Sequence, residues 1–201
     1  DNNIELLKQN DSLFQKNEFL KKKLEFYKSK FENDSTQNSS IILQAKVVRN
    51  SWNKKQNFMT INKGFSDNIS PKMGVVNNNG LIGITHTISE NFSTIISILN
   101  IDLMISAKIK NSGKFGTLSW DGQNPNVMHL TGLPKHVNIK IGDTILTSGY
   151  SNILTEEIEI GTISKYTTEK NTNFLNIIVK PFVDFTDIDF VYIVNPNQKN
   201  E

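Results

Sequence analysis

The 201 residues include no cysteine. Disulfides, thiolate zinc sites and cysteine nucleophiles are thereby excluded together. No stretch of about 18 apolar residues occurs, so no apolar helix of bilayer length is encoded here. Charge of one sign is also missing, with 22 Lys and Arg against 20 Asp and Glu. A nucleic-acid binder concentrates basic residues on one face to neutralise phosphates, so no nucleic-acid partner is expected. Histidine occurs only at His86, His129 and His136. The chain starts at Asp1 and not at a methionine, and no apolar signal core follows. The expectation is a piece excised from a longer protein, with a signal or anchor upstream.

What is present falls into two parts. Residues 4–31 have no Gly or Pro, few β-branched residues, and mostly Glu, Leu and Lys. That composition predicts a helix. Leu6, Leu13, Leu20 and Tyr27 recur at intervals of seven and fit heptad position d. Asn3, Asn10, Asn17, Leu24 and Phe31 fit position a. A buried Asn at a favours a parallel dimer and fixes its register at a cost in stability. Lys16 would face Lys21 of a partner helix, and Lys23 would face Lys28, so like charges weaken the coil further. The self-association seam is therefore Leu6, Asn10, Leu13, Asn17, Leu20, Leu24, Tyr27 and Phe31. A single amphipathic helix packed on its own domain is the alternative.

A polar stretch over 33–40 reads as a linker. From Ile41 the period changes to two. Short apolar or β-branched runs follow, each bounded by Gly, Asn, Asp, Ser or Pro. They are Ile42 with Gln44–Val48, Phe58–Ile61, Gly74–Val76, Leu81–Ile88, Thr94–Leu99, Met104–Ile109, Gly116–Trp120, Val127–Leu130, Thr144–Thr147, Ile158–Tyr166, Leu175–Val179 and Val191–Val194. A dozen short strands predict an all-β body, closed as barrels or stacked as a sandwich. The segment Ile139–Ile163 has a fainter copy at Lys72–Ile84. Aligning Gly149 on Gly80 places Ile145 on Val76. Two copies of one strand–turn–strand device suggest two related β units.

Chemistry is sparse. A double barrel raises the possibility of a trypsin-like hydrolase built from His86, His129 or His136 with Asp102 or Asp143 and Ser148. Such an enzyme needs Ser and His within hydrogen-bond reach and an oxyanion hole. No Gly-rich nucleophile loop is present, so the expectation is no enzyme. No His pair shares a helix face, no acidic loop has calcium spacing, and no Gly-rich phosphate cradle opens a helix. Neither metal nor cofactor is expected. Gly142-Asp143 fits a tight turn whose carboxylate bonds local N–H groups. Gly83, Gly149 and Gly161 fit turns or bends where a side chain would crowd. Asp184–Asp189 fits a solvated turn. Phe19, Phe26, Trp52 and Trp120 are candidate aromatic anchors.

These strings resemble the MreC family of bacterial rod shape-determining proteins. Leu7-Lys-Gln-Asn10-Asp-Ser-Leu13 is similar to the family's L-x-x-E-N-x-x-L run. Gln44-Ala45-Lys46-Val47-Val48 resembles the A-x-V-I strand. Ile61-Asn-Lys-Gly64 and Ile69-Ser-Pro-Lys-Met73-Gly-Val-Val76 resemble I-x-x-G and G-I-x-x-G-M-x-V. Gly80-Leu-Ile-Gly83 matches G-L-V-G. Gly142-Asp143-Thr-Ile-Leu-Thr147-Ser148-Gly149 is close to G-D-x-V-x-T-S-G, and Ile158-Glu-Ile-Gly161 to G-I-x-I-G. Where the family has Pro and Gly before that last strand, this chain has Thr155 and Glu157.

The resemblance implies a mainly β fold: an N-terminal coiled-coil helix, then two small β-barrels, one inserted in the other. The expected division is helix 1–32, linker 33–40, first barrel 41–78 with 138–195, second barrel 79–137, and a disordered tail 196–201. The implied function is a non-enzymatic scaffold of the cell-elongation machinery that self-associates as a dimer or higher assembly. It would bind a class B penicillin-binding protein and work beside MreB, MreD and RodA. The implied location is the periplasmic side of the inner membrane, through an anchor outside this chain. A periplasmic adaptor of an export system also joins coil to β domains, but usually as a hairpin inserted in the β region.

Overall fold

The computed structural model describes residues 10, 13, 14, 16, 17, 42–150, 154, 156–168 and 173–194. The chain divides into two units, Asp1–Ser40 and Ile41–Glu201. In the first, Asn10, Leu13, Phe14, Lys16 and Asn17 have helical backbone and exposed side chains. The rest of the expected helix and seam, the linker 33–40 and the tail 196–201 lie outside the described residues.

Among the described residues, twelve strands build the second unit. They are β1 (Ile42–Asn50), β2 (Gln56–Ile61), β3 (Gly74–Asn77), β4 (Gly80–Ile88), β5 (Ser93–Asn100), β6 (Ile105–Ile109), β7 (Phe115–Ser119), β8 (Met128–Pro134), β9 (Thr144–Thr147), β10 (Glu159–Thr168), β11 (Phe174–Pro181) and β12 (Phe190–Val194). Each coincides with one of the runs predicted from period two. The reason is local, because a half-buried strand must alternate. In β2, Asn57, Met59 and Ile61 point inward while Gln56 and Phe58 face out. In β6, Ile105, Ala107 and Ile109 are buried between half-buried Ser106 and Lys108.

The strands close into two six-stranded barrels, with orders β1-β12-β3-β4-β5-β2 and β10-β11-β8-β7-β6-β9. Every pairing is antiparallel. Closure gives every strand a paired neighbour on both sides over part of its length. The chain leaves the first barrel after β5, completes the second, and returns as β12, so one barrel is inserted in the other. The expected boundaries are corrected. The first barrel takes 42–100 and 190–194, and the second takes 105–181. A cut after residue 78 would have split the β3–β4 hairpin, whose strands are separated by only Asn78 and Asn79. A start at 138 would have removed β9–β11 from the barrel they close.

The two barrels share one topology. Placing β12 ahead of β1–β5 reproduces the neighbour relations of β6–β11. This sharpens the sequence repeat and shifts it by one residue. Val75 of β3 pairs with Gly83, and Ile145 of β9 pairs with Gly161. Ile145 is therefore equivalent to Val75, not Val76. A one-residue slip exchanges the inner and outer faces, so the difference matters. Gly83 and Gly161 do the same job: a Cβ on either would overlap a carbonyl oxygen of the next strand, that of Ile96 or Lys180.

The barrels meet along β4. Its neighbours Leu81 and Ile82 are both fully buried, so both faces of the strand are covered. A Cβ on Gly80 would overlap the carbonyl oxygen of Glu159 in β10. The returning segment 182–189 buries Val183, Phe185 and Ile188. Phe182 donates its N–H to the Ile160 carbonyl at 2.9 Å, and Asn50 Nδ2 donates to the Phe185 carbonyl at 2.8 Å. Leu154 is buried, and a Cβ on Gly74 would lie 3.1 Å from its Cδ2.

Candidate functional site

The string Gly142–Gly149 builds a platform, one residue at a time. Gly142 has φ +92, which favours glycine. The Asp143 carboxylate accepts from Lys140 N–H at 2.8 Å and from Asn111 Nδ2 at 3.1 Å. That closes the turn before β9. At the far end of β9, Thr147 Oγ1 accepts the Ile158 N–H at 3.0 Å. Its backbone N–H donates to the Ile158 carbonyl, and its carbonyl accepts the Glu157 N–H. The base of the 148–158 loop is thus pinned. Ser148 Oγ donates to Ser106 Oγ at 2.7 Å and accepts the Tyr150 N–H at 3.3 Å. Gly149, at φ +67, then turns the chain.

The outcome is an aromatic pair on the outer face of the second barrel. Tyr150 stacks on Phe115 of β7, with centroids 4.8 Å apart and planes inclined by 29°. The two residues remain 74% and 52% exposed. An offset stack holds both rings in place without burying them, which suits a docking anchor. Around it lie Thr117 and Ser106, paired across β7 and β6, and Lys108, paired with Phe115. Lys108 Nζ lies 3.8 Å from Glu157 Oε1.

The other predicted residues have structural places. Asp184 closes its own turn, accepting from Thr186 N–H and Oγ1. These bonds hold its carboxyl below the usual carboxylate range, the hydroxyl contributing most. Trp120 was a candidate anchor, and the structure corrects this. It is 3% exposed, and its indole N–H donates to the Asn124 carbonyl at 2.8 Å. A buried Trp needs such a partner. Trp52 is on the surface. Phe19 and Phe26 lie outside the described residues. Sequence reasoning missed Tyr150 and Phe115. The signals available were the Thr-Ser-Gly turn directly before Tyr150 and the outward parity of Phe115 against buried Leu118.

Among the described residues no hydrolytic triad is assembled. Ser148 spends its hydroxyl on Ser106, whereas His129 pairs with Asp121 at 3.3 Å, and His86 and His136 are exposed. Among the described residues, no three His, Asp or Glu side chains group as a metal site, and no helix is long and apolar enough to cross a membrane.

Comparison with known proteins agrees with this architecture. The family model "Rod shape-determining protein MreC, barrel core" matches residues 47–195. The cell shape-determining protein MreC of Listeria monocytogenes is 30% identical over 158 residues, covering 76% of this chain and 52% of that protein. The chain thus spans about half the length of the curated relatives it matches. A solved Listeria monocytogenes MreC structure superposes with a TM-score of 0.74 at 26% identity, covering 97% of this chain and 94% of that one. A solved complex between a penicillin-binding protein and MreC from Helicobacter pylori gives 0.62 at 16% identity, covering 80% and 100%. Twin six-stranded barrels, one inserted in the other and matched along most of their length, make this chain a member of the MreC family.

Proposed function

We propose that this chain is a non-enzymatic scaffold of the cell-elongation machinery. It acts on the periplasmic side of the inner membrane, tethered through a segment upstream of Asp1. It self-associates through the heptad seam Leu6, Asn10, Leu13, Asn17, Leu20, Leu24, Tyr27 and Phe31. It binds a class B penicillin-binding protein and works beside MreB, MreD and RodA.

One observation carries the reading: a family-typical motif is spent on holding an exposed aromatic pair, not on chemistry. Thr147, Ser148 and Gly149 support the loop that seats Tyr150 on Phe115, and Gly142 and Asp143 close the turn at the other end of β9. Exposed, prepositioned aromatics contribute binding energy at low entropic cost. The Helicobacter pylori complex supplies a precedent for the partner class.

The test is a titration of the chain with the periplasmic part of its cognate class B penicillin-binding protein. Phe115→Ala with Tyr150→Ala is expected to weaken binding at least about tenfold, as loss of a hot-spot pair does. Binding of the double variant at wild-type affinity would move the contact elsewhere. A wild-type chain that fails to bind would remove this partner from the proposal.

A further inference from the structure

Although each ring is closed, β10 outruns its neighbour on one side. Its pairing with β9 ends at Thr162, apart from the bonds of Ile163 with Asp143 and Gly142. Its pairing with β11 continues through Lys165, Tyr166, Thr167 and Thr168. The outer edge of β10 is therefore left unpaired there, while β11 stays paired with β8 through Phe174. All residues from Ser164 to Thr168 are exposed. Among the described residues, nothing pairs with the backbone of Lys165–Thr168 on the side away from β11. Tyr and Thr suit an added strand by propensity, and an unpaired edge is a template for one.

Charge defines the occupant. Lys165 lies opposite Ile178, and Lys180 follows Ile178 by two residues, so both lysines stand on one face of the ribbon. Among the described residues no carboxylate pairs with either. A second copy of this chain would bring another Lys165 to the same strip, which like-charge repulsion disfavours.

We propose that the edge Lys165–Thr168 receives an extended acidic segment of a partner protein as an added β-strand. Main-chain hydrogen bonds would hold the segment. An acidic side chain would stand beside Lys165, Lys180 would add positive potential on the same face from one strand further in, opposite Thr162, and the intervening side chains would lie on the Tyr166 side. The site is on a different face from Tyr150–Phe115, so it stands or falls separately from that surface.

The probes are two short peptides, one alternating valine with glutamate and one alternating valine with lysine. Each is titrated into the full chain while amide exchange of residues 164–168 is followed. The acidic peptide is expected to slow exchange there and to bind about twofold to fivefold tighter than the basic one, the range that one exposed ion pair supplies. Lys165→Glu with Lys180→Glu should reverse the preference while leaving exchange in β1–β9 unchanged. Three results overturn the proposal. One is no protection by the acidic peptide. Another is equal binding of an acidic peptide with N-methylated alternate amides, which would mean charge attraction without strand pairing. The third is peptide-independent protection that rises with protein concentration, which would assign the edge to a second copy.

Discussion

At Gly83 and Gly161 the chain admits no side chain, because backbone of the neighbouring strand occupies the space. A carbonyl oxygen in a barrel wall cannot swing aside as a flexible side chain does. Gly83→Ala and Gly161→Ala should each cost about 2–3 kcal/mol, the upper range for overpacking. Thermal melts should then fall by roughly 5–10 °C for a chain of this size. Glu157 presents the opposite case. Its φ is +70, a left-handed conformation that costs a side chain about 1–2 kcal/mol. The family's glycine at this place has a physical reason, and Glu157 departs from it. Its partner Lys108 lies at 3.8 Å, with the Glu157 side chain 74% exposed, so little is lost with the carboxylate. Glu157→Gly should raise the melting temperature by about 1–3 °C, strain relief exceeding the added chain entropy. A lower melting temperature would show that the ion pair matters more than the backbone. Asp67 ties the 3-10 turn Phe65–Asp67 by accepting from Lys63 Nζ at 2.6 Å and Gly64 N–H at 3.1 Å. The Lys63 bond leads in holding its carboxyl below the ordinary range, Gly64 adding to it. A depressed folded value contributes stability above the unfolded value, and that contribution is lost as pH falls through the folded one. Asp67→Asn should therefore melt below wild type at pH 7, and the gap should close as pH falls below about 4. A gap that persists at low pH would assign the effect to geometry instead of charge.

At the scale of elements, the sequence reveals most where structure is local. Strands such as Ile105-Ser-Ala-Lys-Ile109 were legible because alternation depends only on which face meets the core, whereas β4, covered on both faces, was legible as a continuous apolar run. The turn at Gly142-Asp143 was legible for the same reason, since its carboxylate bonds residues close by. The Tyr150–Phe115 stack was not, because it joins a loop to a strand 35 positions earlier. Trp120 shows the converse limit. Its burial follows from tertiary cover that no window of its own sequence encodes. The N-terminal segment makes a prediction of its own. Asn at three a positions weakens a coil while fixing its register. Asn10→Leu with Asn17→Leu should therefore tighten self-association about tenfold or more in sedimentation equilibrium. Unchanged association would mean that these positions do not face a partner helix.

At the scale of the whole molecule, the partition into barrels was the least legible feature. Which strands share a barrel is set by pairings such as β12 with β3, more than a hundred residues apart, and by the seam along β4. Local pattern carries no record of either. The seam has a measurable consequence. Leu81 and Ile82 cover it from β4, Leu154 approaches Gly74, and Gly80 lies against the backbone of Glu159. With both faces of one strand covered, the barrels should melt as a single cooperative unit. Leu154→Ala removes a buried side chain from this contact, at a cost of about 2–3 kcal/mol. Gly80→Ala opposes it from the other side by placing a Cβ against the Glu159 carbonyl. Both should open the connections 101–104 and 182–189 to protease and split the calorimetric transition into two. Gly83→Ala, which disturbs the wall within one barrel, should lower the melting temperature without exposing those connections. If the seam variants lose stability in one transition and the connections stay resistant, the barrels are coupled through the connections themselves, above all through buried Val183 and Phe185.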